Sequence, residues 1–243
     1  MAIAPLIVGC WFGGFQATHL LLVPAWLAAF VFYQDLQGAM RAPDNRRRRY
    51  ATPIIVYGAV ALACTVPLLV LRPALWWWAP AFAVLVAVSA VCVARKAVRS
   101  LLNDLATQAA ACLMVGVGFE VGTGPVGAFT WIGVWTATVF LFLYFAGTSF
   151  YVKTVIRERG RPRWYAASLV YHGVVLVVVG AWAFAVTDDG LAPFGWTMAA
   201  VAAVMLARAA VVPRLPGVTP PRVGFGEVGL TVVVVAAIMV VFA

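Results

Sequence analysis

Nine apolar stretches separated by eight short polar gaps make up almost all of this chain. The stretches run from Ala2 to about Phe12, Leu20 to about Asp35, Thr52 to Leu71, Trp76 to about Ala94 and Leu101 to Phe119. They continue from Ala128 to about Val155, Trp164 to Val186, Phe194 to Val212 and Gly224 to Ala243. A helix crossing the hydrocarbon layer needs about 20 apolar residues, and most of these stretches have that length. Only helices and closed barrels satisfy their backbone in lipid, and runs this continuous predict helices. The expected fold is therefore all-α: a polytopic transmembrane bundle of about nine helices, with residues 1–243 forming one domain. The first stretch is too short to span unaided, and Gly13, Gly14 and Gln16 loosen the chain before His19. Pro67 predicts a kink, Arg72-Pro73 a tight turn, and Gly122 to Pro125 another. Trp76, Trp77 and Trp78 read as an interfacial aromatic belt.

The gaps differ in charge. Sixteen of the seventeen Lys and Arg residues fall in every second gap. One such gap holds Arg41, Arg46, Arg47, Arg48 and Arg49, the next Arg95, Lys96 and Arg99. The third holds Lys153, Arg157, Arg159, Arg161 and Arg163, and the last, with its borders, Arg208, Arg214 and Arg222. The intervening gaps carry Arg72 with Glu120, Asp188 and Asp189. Basic loops stay in the cytoplasm, so the expectation is a multi-pass protein of the bacterial inner membrane, N-terminus inside and C-terminus outside.

Composition narrows the function classes. A chain 65% hydrophobic with mean hydropathy +1.00 is no water-soluble domain, where apolar residues make up about half. The net charge of +9 sits in short loops, where insertion topology and anionic headgroups explain it, and nucleic acid is not an expected partner. Cys10, Cys64, Cys92 and Cys112 all lie in apolar stretches, without a CxxC pair or a His at ligand spacing. They read as small buried side chains, and neither a metal nor a cofactor is expected. The start, Met1 to Pro5, lacks the basic region of a cleavable signal peptide.

Polar groups inside a bilayer are costly and point to function or to helix packing. Here they gather at the ends of the stretches that border the basic gaps. Asn103 with Thr107, Asp104 with Gln108, and Lys153 with Arg157 are i,i+4 pairs, each expected on one helical face. One reading is an anion or lipid-head site made by Arg99, Asn103, Asp104, Tyr151, Lys153 and Arg157, with Asp104 within pairing reach of Lys153 or Arg157. Asp35, Gln108, Tyr171, His172 and Glu227 would line a polar cavity open to the cytoplasm. The other reading is structural. Asp104 then neutralises a neighbouring base, and Lys153 and Arg157 snorkel to headgroups. His172 would join helices, and Glu227, after Gly224 and Gly226, would favour a helix start. No catalytic residue is assigned.

Several runs resemble one family. Arg99-Ser100-Leu101-Leu102-Asn103-Asp104-Leu105-Ala106 is similar to the (N/R)xxLLNDLA element of YwiC-like membrane proteins. The run from Phe145 to Glu158 resembles that family's GTxFYVKxxIRE element, and Gly224 to Gly229 its G-x-x-E-x-G element. The resemblance implies an unassigned biochemical role. It also implies a His-Gly-Ala-Trp-Ala-Met opening, of which Met1 stands at the final position, so the chain is expected to start late relative to its relatives. A more distant likeness is to UbiA-type intramembrane prenyltransferases, which have nine helices, an inside N-terminus and a cytoplasmic catalytic mouth. Those enzymes hold diphosphate through Mg²⁺ on two acidic motifs. Here the first place offers Asp35 and a distant Asp44, and the second offers the bases Lys153 and Arg157, which disfavours that chemistry. The expected function is to bind or modify an anionic isoprenoid or lipid head without Mg²⁺. The alternatives are a small-anion or metabolite transporter and a non-catalytic membrane scaffold. The transporter lacks polar groups in the outer half and a pair of broken helices. The pattern names no protein partner.

Overall fold

A computed structural model describes residues 2–124, 131–186 and 191–241. Among them there are helices and no strand. We number the main helices α1 (Ala4–Gly13), α2 (His19–Arg41), α3 (Ala51–Leu71), α4 (Ala79–Ala94), α5 (Leu101–Thr123), α6 (Ile132–Val152), α7 (Pro162–Ala185), α8 (Ala192–Val211) and α9 (Pro220–Val241). Eight helical stretches among the described residues are long and apolar enough to cross a membrane, and α1 is a shorter apolar helix. The all-α transmembrane expectation is met. The turn at Pro125, the expected start near Ala128, the acidic pair Asp188 and Asp189, and Ala243 lie outside the described residues.

Three boundaries differ from the hydropathy reading, each for a local reason. Helix α2 runs on past Asp35 to Arg41, where Pro43 ends the favourable region. Helix α5 continues through Glu120 to Thr123 and stops at Gly124, whose φ of +100° suits a residue without Cβ. Helix α9 starts at Pro220, because Pro pre-sets the helical φ in the first turn and lacks the N–H that would go unused. Glu227 is thus the eighth residue of α9. It is not the first-turn carboxylate expected from Gly224 and Gly226.

The chain divides into two compact units, Met1–Thr138 and Val139–Ala243. In the first, α5 is the central helix. Helix α1 lies against it through two facing G-x-x-x-G runs, Gly9 to Gly13 and Gly118 to Gly122. A Cβ on Gly9 would meet the Val115 carbonyl, one on Gly13 the Phe119 carbonyl, and one on Gly122 the Gly13 carbonyl. Backbones approach this closely only where side chains are absent, the recurrent contact of helices in lipid. The Gly13-Gly14 pair read as loosening the chain therefore begins with a packing residue. His19, fully buried, accepts from the Gln16 N–H at Nδ1 (2.9 Å), so Nε2 carries the proton and donates to the Gly118 carbonyl (2.9 Å). That bond ties the start of α2 to the same glycine face.

The tryptophan run splits. Trp76 and Trp77 are 63% and 77% exposed, as a membrane-interface belt requires, but Trp78 is 4% exposed. Its indole N–H donates to Glu120 Oε2 (2.6 Å), and its ring stacks near Trp135. A buried indole N–H needs an acceptor, and the carboxylate read as a loop charge supplies it from inside α5. A Cβ on Gly116 would come within 2.8 Å of the Trp78 ring. Gly116→Val should therefore unseat the indole and lower stability by about 1–3 kcal/mol. Thermal unfolding of the purified chain in detergent checks this; an unchanged midpoint would contradict the packing.

In the second unit α7 packs on α8, and a Cβ on Gly195 would lie 2.9 Å from Ala183 Cα. Apolar side chains left on the outside of α3 and α9, such as Ile55, Val70, Phe225 and Val240, are the surfaces that suit a lipid environment.

Candidate functional site

The last turn of α6 determines where its polar residues point. After Val152 the chain widens into a π turn, Lys153–Arg157, in which the Glu158 N–H donates to the Lys153 carbonyl (2.7 Å). The Thr154 hydroxyl bonds the Phe150 carbonyl (2.9 Å), a local competitor to the regular ladder. Such turns recur at functional sites. Lys153 is consequently buried, with Nζ 6.0 Å from the Trp164 ring centre, while Arg157 is exposed. The two cations of the i,i+4 pair are therefore not equivalent, one being buried and the other exposed.

One turn further back on α6, a polar cluster joins three helices of the second unit. Arg208 of α8 forms an ion pair through Nη1 with Glu227 Oε1 of α9. The Thr148 hydroxyl of α6 donates to Glu227 Oε2 (3.0 Å). The Arg208 guanidinium lies 4.1 Å over the ring of Tyr151, a cation–π contact. Tyr144 adds a hydrogen bond to Thr231 (3.1 Å) and another to Thr148. Arg208 and Glu227 side chains are only 14% and 11% exposed. At 1.5 Å per residue, Glu227 lies about 10 Å along α9 from its start.

Two features of this cluster are unsaturated. Arg208 Nε and Nη2 are buried and have no hydrogen-bond partner among the described residues. His172 donates from Nδ1 to the Ser168 carbonyl (2.7 Å), which leaves its buried Nε2 a lone-pair acceptor without a partner. That nitrogen abuts Gly147, where a Cβ would stand 2.9 Å from it. Buried polar atoms are nearly always paired, so these open donors and this open acceptor mark places in the second unit where a ligand or water belongs.

The other expected residues have separate places. Tyr171 donates to the Leu143 carbonyl (3.0 Å) and stacks on Phe150, so it clamps α7 to α6. In the first unit, buried Asn103 accepts from the Ser89 hydroxyl and donates to the Val98 carbonyl (2.8 Å), while Gln37 donates to the same Ser89 (3.2 Å). Gln108 is buried, Asp104 and Asp35 half-buried, and Arg99 exposed in the turn before α5. Asp104 belongs to the first unit and Lys153 and Arg157 to the second. Arg208 was not among the expected site residues. Its signal was a single base at the border of an apolar stretch with one carboxylate in the next. Among the described residues no three or more His, Cys, Asp or Glu side chains gather as metal ligands would.

The family model described as YwiC-like protein matches residues 1–119. That region of the chain is similar to YwiC-like proteins. A Haemophilus influenzae protein described as uncharacterised is 27% identical over 172 residues, covering 71% of this chain and 70% of its own length. The Bacillus subtilis protein YwiC, also described as uncharacterised, is 27% identical over 174 residues with the same coverage. No solved structure matches. The matched region contains the Gln37–Ser89–Asn103 chain and the Leu101 to Ala106 run, whereas Arg208 and Glu227 lie beyond it.

Proposed function

We propose that this protein binds the anionic head of an isoprenoid or lipid-like amphiphile at the Arg208 cluster. The observation that carries the reading is the pair of buried, unpartnered Arg208 nitrogens, Nε and Nη2, which form one edge of a planar fork. A fork edge matches two oxygens of a phosphate or carboxylate. His172 Nε2 would accept from a hydroxyl or acid proton of the same head. Lys153, one turn along α6, supplies a second positive charge in the same unit. The proposed way in is an open cleft of about 240 Å³ lined by Thr154, Arg161, Tyr165 and Arg214. It lies among the basic connections, so the proposed entry is cytoplasmic, with the N-terminus inside and the C-terminus outside a bacterial inner membrane.

The test uses dodecyl phosphate as the anionic amphiphile and dodecanol as its neutral counterpart, titrated into the purified chain in maltoside micelles. Dodecyl phosphate should raise the unfolding temperature, because a ligand that binds only the folded state stabilises it. Dodecanol should not, and excess EDTA should leave the shift unchanged, because the cations meet the anion directly. Equal shifts from both amphiphiles, or loss of the shift in EDTA with recovery on adding Mg²⁺, would contradict the reading.

Glu227 competes with the incoming anion for Arg208. Glu227→Gln is therefore expected to tighten dodecyl phosphate binding about tenfold, the effect of removing about 1.4 kcal/mol of competing attraction. Weaker binding in that variant would mean that Glu227 serves the ligand directly.

A further inference from the structure

An arginine-lined cleft, separate from the Arg208 cluster, lies in the link between α2 and α3. The chain folds there into a four-residue helix, Asp44–Arg47, and a short 3₁₀ turn, Arg48–Tyr50. They enclose an open cleft of about 450 Å³ whose lining includes Arg41, Arg46, Arg49, Tyr50 and Gly38. Gly38 shapes it: a Cβ there would come within 2.6 Å of the Tyr50 ring, so the absence of a side chain lets Tyr50 lie on α2 as one wall. Arg41 is held by its Nε donating to the Gln37 carbonyl (2.9 Å). Asp44, the carboxylate of this segment, is spent elsewhere, 3.4 Å from Arg47, and Arg47 is not among the lining residues. Among the described residues no hydrogen bond or ion pair engages the side chain of Arg46 or Arg49. Three guanidinium groups around one cleft repel each other unless an anion sits between them.

We propose that this cleft binds a phosphate group, and that the phosphate belongs to an anionic glycerophospholipid. Arg46 and Arg49 would grip its oxygens, with Arg41 behind them, and Tyr50 would donate to one oxygen or to the ester. The lipid source follows from the neighbouring surface. Ile55 and Val56 on the first turns of α3 are 68% and 50% exposed, so an acyl chain leaving the cleft has an apolar track to follow. A soluble phosphate has no use for that track. The site also gives the arginine run a role beyond fixing topology, which any arrangement of five bases in this loop would satisfy.

The experiment compares two double variants of the full chain with the same charge loss, Arg46→Gln/Arg49→Gln inside the cleft and Arg47→Gln/Arg48→Gln outside it. Each is purified in neutral maltoside, and binding of phosphatidylglycerol, phosphatidylcholine and inorganic phosphate is measured by native mass spectrometry. The cleft variant should lose phosphatidylglycerol affinity by about tenfold or more, since two charge-assisted hydrogen-bonding groups are gone. The control should change by no more than about threefold, a surface-charge effect. Gly38→Ala should weaken binding with no change of charge. Equal losses in the two double variants would overturn the site. Inorganic phosphate bound as tightly as phosphatidylglycerol would overturn the lipid as its occupant.

Discussion

Glu227→Ala is expected to lower the stability of the folded chain by about 3–5 kcal/mol, because it leaves the Arg208 guanidinium buried without its carboxylate. Arg208→Ala should cost a similar amount for the converse reason. The loss is large because removing one partner does not restore water to the other. It remains among Tyr151, Thr148 and apolar side chains. Replacing both at once, Arg208→Met with Glu227→Met, is expected to cost far less, since an apolar pair of similar volume removes both desolvation penalties. A double-mutant cycle from unfolding in detergent measures this coupling. Additive losses, with the double variant as unstable as the two single changes summed, would show that Arg208 and Glu227 do not act as a pair.

Gly118→Leu is the second large effect expected. A Cβ on Gly118 would sit 3.0 Å from the Cys10 amide nitrogen and 3.1 Å from the Gly9 carbonyl carbon, so a branched side chain has no room between α1 and α5. The helix that yields is α1, because it is only ten residues long and too short to be held in a bilayer by its own apolar length. The same substitution also displaces the carbonyl that accepts from His19. Loss of stability by at least about 1–3 kcal/mol is expected. Cys10 should in addition become reactive to a maleimide that leaves it largely unlabelled in the unaltered chain. Retained protection of Cys10 would mean that α1 does not depend on this glycine face.

Much of the architecture was legible in the sequence because hydropathy and helix length are local quantities. Among the described residues, eight span-length helices and the shorter first one correspond to apolar stretches of the sequence. What the pattern did not contain was register between neighbours. Gly9, Gly13, Gly118 and Gly122 are visible as G-x-x-x-G runs, yet nothing in either run says that it faces the other. Arg208 and Glu227 show the same limit. Each looks ordinary alone, a base near a helix end and a carboxylate near glycines, and only the rotation of α8 against α9 turns them into a pair. The spacing of Lys153 and Arg157 likewise said nothing of the π turn they sit in or of their unequal burial. Asn103 and His172 were recognised as buried polar groups. Their partners, the Ser89 hydroxyl and the Val98 carbonyl for Asn103 and the Ser168 carbonyl for His172, are contacts that composition does not encode.

The proposed function rests on two nitrogens of one side chain, and Arg208→Lys separates them from everything else that side chain does. Lysine keeps the positive charge opposite Glu227, so the ion pair and the fold survive, but it offers a single ammonium in place of the fork edge formed by Nε and Nη2. Titration of dodecyl phosphate into the Arg208→Lys chain in maltoside micelles is therefore the most direct measurement. The account predicts that the variant keeps most of its thermal stability and binds at least about tenfold more weakly, having lost a bidentate charge-assisted contact. Undiminished binding of dodecyl phosphate by a stably folded Arg208→Lys chain would contradict it.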